Sequence, residues 1–185
     1  MLISGTGTNL QALIDAPDID VSCVVSSRAG APGLERAARA GIPATATADE
    51  AETTAFLAGH GTDLIVLAGY MRILSAAFVS RWSGRILNVH PALLPAFPGA
   101  HAVEDAVAHG VKVTGVTVHL VDADHVSADT GPIVMQEALA VSYDDTAAEV
   151  TERLHRIEHR LLPEAVRLYG AGRIHVDGRR VRVSG

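Results

Sequence analysis

The sequence predicts an α/β protein built as one domain over residues 1–185: a doubly wound, mostly parallel twisted sheet with helices on both faces and a short carboxyl-terminal hairpin. Three observations predict it. Short apolar runs alternate with helical patterns along almost the whole chain, which is the signature of right-handed βαβ crossovers. One run, Asp63-Leu64-Ile65-Val66-Leu67-Ala68, is continuously apolar over strand length, as expected for a parallel strand covered on both faces. The opening Met1-Leu2-Ile3-Ser4 leads through Gly5-Thr6-Gly7-Thr8-Asn9 into a helical pattern at Leu10, Leu13 and Ile14, the order of a strand, a glycine turn and a helix start.

The remaining elements follow in order. Val21 to Val25 reads as the second strand, and Gly33-Leu34-Glu35-Arg36-Ala37-Ala38 as a short helix stopped by Gly41 and Pro43. Ala44 to Thr47 is a third, weaker strand. Asp49 and Glu52 have the spacing of a capping box for a helix through Leu57 that ends at Gly59-His60-Gly61. The loop Gly69-Tyr70-Met71-Arg72-Ile73-Leu74 precedes a helix from Ala76 to Trp82. Arg85-Ile86-Leu87 begins a strand that must stop at His90, because Pro91, Pro95 and Pro98 cannot donate to a ladder. His101 to Val107 reads as a helix ending at Gly110, and Val113 to Val121 as a strand with Thr117 and His119 on one face. An acidic loop, Asp122 to Asp129, closes at Thr130-Gly131-Pro132 before a strand from Ile133 to Val141. Thr146 to Tyr169 is the longest helix, with Val150, Leu154, Ile157 and Leu161 on its buried stripe. Asp177-Gly178 between Arg173–Val176 and Arg179–Val183 has the form of a hairpin with a type I′ turn.

Composition narrows the function. A chain of 185 residues buries roughly 70% of the surface its unfolded form exposes, so a substantial core is available. With 48% hydrophobic residues, 4% aromatics and a net charge of −6, it has neither the stacking platforms nor the basic track of a nucleic-acid binder. The single Cys23 excludes an intramolecular disulfide and reads as a small buried hydrophobe. There is no apolar run of membrane-spanning length and no leader pattern before the first motif, which leads to the expectation of a soluble, cytoplasmic protein.

The chemistry is expected at Asn88-Val89-His90-Pro91. Asn88 and His90 are two residues apart on one strand and so face the same side. They sit at its carboxyl end, where open parallel sheets bind ligands. Asp129 is of interest because a carboxylate near His90 would orient the ring and favour its charged form, although a carboxylate in such a loop is more often a turn former. The glycine turn could hold a phosphate on free amides or be merely a tight βα turn. A dinucleotide site fits less well, since the third glycine of G-x-G-x-x-G would fall at Leu10. Met71, Ile73 and Leu74 could line a slot for a planar ligand or tuck under the next helix. His155 and Glu158, three residues apart, share a helix face that spacing alone reads as solvated surface. Nine histidines invite a metal reading, but no H-E-x-x-H and no cysteine cluster supports one.

Taken together, Ser4-Gly5-Thr6-Gly7-Thr8-Asn9-Leu10-Gln11-Ala12, Leu67 to Leu74, Asn88 to Pro95 and Asp129-Thr130-Gly131-Pro132 resemble the folate-dependent formyltransferases, in particular the branch acting on glycinamide ribonucleotide. The resemblance covers nearly the whole chain. It implies a Rossmann-like formyltransferase fold and transfer of the formyl group of 10-formyltetrahydrofolate, a co-substrate, to the primary amine of glycinamide ribonucleotide in de novo purine biosynthesis. No metal is implied, and a monomer or homodimer is expected. By the same resemblance Gly7, Thr8 and Asn9 would hold the ribonucleotide phosphate with help from His155, and Glu158 would hold its ribose. Met71, Arg72, Ile73 and Leu74 would border the folate, with Asn88 and Asp129 beside it, and Asn88, His90 and Asp129 would form the catalytic trio. An amide N–H and an imidazolium at the reacting oxygen suit a developing oxyanion, and a carboxylate suits the proton relay that follows.

Three features depart from that family's pattern. The first strand is short, the segment from Thr45 to His60 is short and lacks an arginine, and the stretch from His119 to Asp129 is longer than usual. The rival readings are a formyltetrahydrofolate hydrolase or another formyltransferase of the superfamily and, outside that class, a non-catalytic module that binds a nucleotide phosphate.

Overall fold

The computed structural model describes residues 1–121 and 129–184; Asp122 to Ala128, the greater part of the expected acidic loop, lie outside the described residues. Seven strands form one sheet in the order β3-β2-β1-β4-β5-β6-β7. They are β1 (Leu2–Ile3), β2 (Val24–Ser26), β3 (Ala44–Ala46), β4 (Ile65–Ala68), β5 (Ile86–His90), β6 (Val113–Leu120) and β7 (Ile133–Ala140). Pairing is parallel from β3 across to β5, whereas β6 and β7 run antiparallel. The order reverses between β1 and β4, so a ligand crevice is expected outside their carboxyl ends.

Among the described residues the helices are α1 (Thr8–Ile14), α2 (Pro32–Arg39), α3 (Glu50–Gly59), α4 (Ala76–Arg81), α5 (Ala102–His109) and α6 (Ala147–Gly170). Strand alternation divides the core between the two faces. Ile3, Val66, Leu87 and Val89 join Leu10, Leu13 and the α6 stripe of Val150, Leu154, Ile157 and Leu161. Leu2, Val25, Ile65, Leu67 and Ile86 join Leu57, Phe78, Val79 and Trp82 from α3 and α4. Thr146 caps α6 through a full capping box with Glu149, which fixes where this helix starts. Leu162 is fully buried in the α6 layer, so truncating it removes buried apolar contacts and opens a cavity. Leu162→Ala is expected to cost about 2–5 kcal/mol of unfolding free energy, measurable by urea titration.

Three local expectations change. The second strand is Val24–Ser26 rather than Val21 to Val25, because its parallel neighbour β1 offers only Leu2 and Ile3 as partners, opposite Val25 and Ser26. Asp49 caps α3 by accepting from the Ala51 and Glu52 amides, but Glu52 accepts from the Thr47 hydroxyl at 2.6 Å instead of reaching back, so the capping box is half formed. The hairpin strands are β8 (Ile174–Asp177) and β9 (Arg180–Val183), with Asp177 paired to Arg180. The turn is therefore Gly178-Arg179, and a positive φ at Gly178 alone is the type II′ pattern rather than I′. No helix among the described residues is long and apolar enough to cross a membrane.

Candidate active site

A cleft of about 730 Å³ opens along the carboxyl ends of β1, β4 and β5. It is lined by Gly7, Thr8 and Asn9 of the glycine turn, by His155 and Glu158 of α6, and by Met71 to Leu74 of the loop after β4. Asn88, His90 and Asp129 line it too, so every site residue expected from sequence borders one cavity. The turn after β1 and the loop after β4 flank the point where strand order reverses, and the Met71 amide donates to Ser4 Oγ at 2.9 Å. Met71 and Ile73 are 64% and 81% exposed, so they form a free apolar lip instead of tucking under α4.

Helix periodicity alone read the α6 face as solvated. Glu158 is in fact 5% exposed and accepts from Asn9 Nδ2 at 2.7 Å, because α1 packs its first turn against that face. His155 stacks with His159 one turn on, their centroids 6.0 Å apart. Burial, then the neighbouring His155, lowers the His159 pKa; Glu158 opposes this and Arg36 adds to it.

At the centre, Asp129 gathers donors. Its Oδ1 accepts from Asn88 Nδ2 at 3.1 Å and its Oδ2 from the Gly99 amide at 2.8 Å. His90 Nδ1 lies 3.4 Å from Oδ2 and His119 Nε2 lies 3.5 Å from Oδ1. Burial pushes the Asp129 carboxyl up, but the His119 contact, the Gly99 amide and the two imidazoles together outweigh it and hold the pKa below the ordinary carboxylate value. Asp129 adopts φ 62, a left-handed conformation that Asp and Asn tolerate better than most residues.

His119 is the residue that sequence reasoning left out of the site. It is 1% exposed, faces Asn88 directly across the antiparallel β5–β6 pair, and has Nε2 at 3.1 Å from Asn88 Nδ2. Its Nδ1 lies 3.0 Å from the Leu120 carbonyl oxygen. Alternation along β6 puts Thr117 and His119 on one face, but only the register reveals that this face meets Asn88. Thr117 serves the same region by donating to the Ala92 carbonyl at 2.7 Å and accepting the Leu94 amide, which pins the proline loop. From that loop the Phe97 carbonyl oxygen lies 2.8 Å from His90 Nε2. The donors expected at a reacting oxygen are thus engaged with Asp129, His119 and the Phe97 carbonyl. Among the described residues no group of three His, Cys, Asp or Glu is set to hold a metal ion.

A carboxamide, an imidazole and a carboxylate converge at the carboxyl edge of a doubly wound sheet, in a cleft that an anion-suited glycine turn and an apolar lip share. Together they define a group-transfer enzyme of the α/β class. Comparison with known proteins makes the class specific: the formyl transferase family model matches residues 1–166. The chain is 44% identical to the phosphoribosylglycinamide formyltransferase of Mycobacterium tuberculosis strain H37Rv, over 97% of this chain and 87% of that protein. It is 41% identical to the human trifunctional purine biosynthetic protein adenosine-3, over 95% of this chain but only 18% of that longer protein. Its fold matches the crystal structure of glycinamide ribonucleotide transformylase 1 from Symbiobacterium toebii with a TM-score of 0.93 and 45% identity, covering 100% of this chain and 92% of that one. A formyltetrahydrofolate deformylase from Pseudomonas syringae is also similar, with a TM-score of 0.89 at 26% identity over 100% of this chain and 65% of that one. The chain belongs to the formyl transferase family.

Proposed function

We propose that the protein transfers the formyl group of 10-formyltetrahydrofolate to the primary amine of glycinamide ribonucleotide. The observation that carries this reading is the meeting of Asn88, His90 and Asp129 in one cleft that the glycine turn and the exposed Met71–Leu74 lip also line. The ribonucleotide phosphate sits on the Gly7–Asn9 turn with His155 nearby, its ribose on Glu158, and the pterin against Met71, Arg72, Ile73 and Leu74.

In the reaction the amine nitrogen attacks the formyl carbon and the carbonyl π electrons move onto oxygen. Asn88 and His90 each exchange an internal acceptor for that oxygen, and their N–H groups stabilise its charge more strongly than that of the ground-state carbonyl. Asp129, ionised and within reach of His90, takes the proton from the attacking nitrogen and delivers it to the departing folate nitrogen. The carbon–nitrogen bond to the folate then breaks, leaving the formyl group on the ribonucleotide amine. The folate is a co-substrate and the scheme uses no metal.

The test is a two-substrate assay that follows loss of formyl from the folate, with a control omitting glycinamide ribonucleotide. Formyl loss that depends on the ribonucleotide is expected. Equal loss without it would identify a hydrolase, and no loss in either case would identify a binder. Inorganic phosphate is expected to compete with the ribonucleotide and not with the folate, as an inhibition series against each substrate would show. Competition against the folate instead would mean that the two ends of the cleft are exchanged.

A further inference from the structure

The first turn of α2 lies behind the glycine turn, on the side away from the cleft. The Gly33 amide donates to the Gly5 carbonyl at 3.1 Å, and Arg36 Nε donates to the Thr6 carbonyl at 2.8 Å. Arg36 Nη1 also donates to Gln11 Oε1 at 3.2 Å, which ties the same guanidinium to α1. Contact is close enough that a Cβ at Gly7 would fall 2.8 Å from the Gly33 Cα, so no side chain fits between the two segments.

The direction of these bonds fixes more than the carbonyls. In a trans peptide the C=O and the following N–H point to opposite sides. Holding the Gly5 and Thr6 carbonyls toward α2 therefore turns the Thr6 and Gly7 amides toward the cleft, which Gly5 to Asn9 line. Among the described residues neither amide donates to a protein acceptor. Successive amides pointing into one hollow form an anion nest. Arg36 also keeps the partial negative charge of the Thr6 carbonyl away from an anion bound there. Its charge is not spent on a carboxylate: among the described residues its guanidinium bonds a backbone carbonyl and a carboxamide, whereas Arg160 and Arg167, which line the same outer groove, pair with Glu137 and Asp18.

We infer that Arg36 is a positioning residue for the ribonucleotide phosphate: acting from outside the cleft, it sets the peptide plane between Thr6 and Gly7 so that the Gly7 amide faces the anion. The inference rests on the proposed use of this turn for phosphate. It concerns affinity for one substrate and not the chemical step, since Arg36 does not line the catalytic cleft.

The experiment compares wild type, Arg36→Met and Arg36→Lys in steady-state kinetics and by amide NMR. Loss of a charged donor bond predicts that Arg36→Met raises KM for glycinamide ribonucleotide about tenfold or more, with kcat and KM for the folate within about twofold. Arg36→Lys, which keeps one charged donor for the Thr6 carbonyl, should recover part of the loss. The inhibition constant of inorganic phosphate should rise in parallel. Independently of any substrate, the Thr6 and Gly7 amide resonances should move in Arg36→Met while the thermal midpoint and the resonances of the β5 amides stay in place. Unmoved Gly7 and Thr6 amides, or an unchanged ribonucleotide KM with those amides moved, would overturn the role of Arg36. If wild type itself neither turns over the ribonucleotide nor binds phosphate, the amide shifts still decide whether Arg36 sets the peptide plane, and the failure falls on the functional reading alone.

Discussion

Replacing His90 with alanine is expected to lower kcat by about a hundredfold to ten-thousandfold, the range for removing a positioned acid–base and oxyanion-stabilising group. The ring is 4% exposed and set between Asp129 and the Phe97 carbonyl, so its removal takes away a donor held in one position by both. The ribonucleotide end of the cleft is built from α1 and α6 and does not depend on this ring, so KM for that substrate should change by about twofold or less. Steady-state kinetics on a variant shown to be folded by circular dichroism provides the measurement. Turnover like that of wild type would remove His90 from the mechanism.

The second large effect is expected at Asp129. Asn is the informative replacement, because it tolerates the φ of 62 and keeps an acceptor for the Gly99 amide while removing the charge and the capacity to carry a proton. A loss of about a hundredfold or more in kcat is expected in Asp129→Asn if the carboxylate relays the proton. The same group predicts a pH signature in stability. Its folded pKa lies below the ordinary value of 3.8, so the ionised form is favoured by folding. The contribution is fully present above that ordinary value and is lost as pH falls through the lower folded value. The stability difference between wild type and Asp129→Asn should therefore be flat above about pH 5 and shrink in more acidic solution, as urea titrations at several pH values would show. A difference that grows on acidification would reverse the sign and show that the carboxyl is held neutral.

How much of this was readable in advance depends on whether the signal is local. The strand stop at His90 was legible because three prolines enforce it, and the α6 stripe was legible because its period is written in one continuous segment. The joint exposure of Asn88 and His90 on one face also follows from adjacency. His119 was not legible as a site residue, since its role depends on the β5–β6 register that places it opposite Asn88. Arg36 was likewise hidden: in sequence it is a charged residue on a short surface helix, and only the packing of α2 behind the turn gives it a partner in Thr6. The burial of Glu158 reflects the same limit, because a helix face becomes interior only when another helix covers it. The hairpin shows a subtler failure, in which a one-residue shift in pairing changed which two residues make the turn.

The position of Asp129 carries one more consequence. On the carboxyl side of Asp129 the chain is fixed to β6, where the Leu120 amide donates to the Pro132 carbonyl at 2.9 Å and His119 pairs with Ile133. Asp129 itself is anchored from the proline loop by Gly99. Asp129 thus takes its place from Asn88 and Gly99, 41 and 30 residues earlier in the chain, so a disturbance confined to the proline loop should displace the acid and lower turnover, as kcat measurements on variants of that loop would reveal.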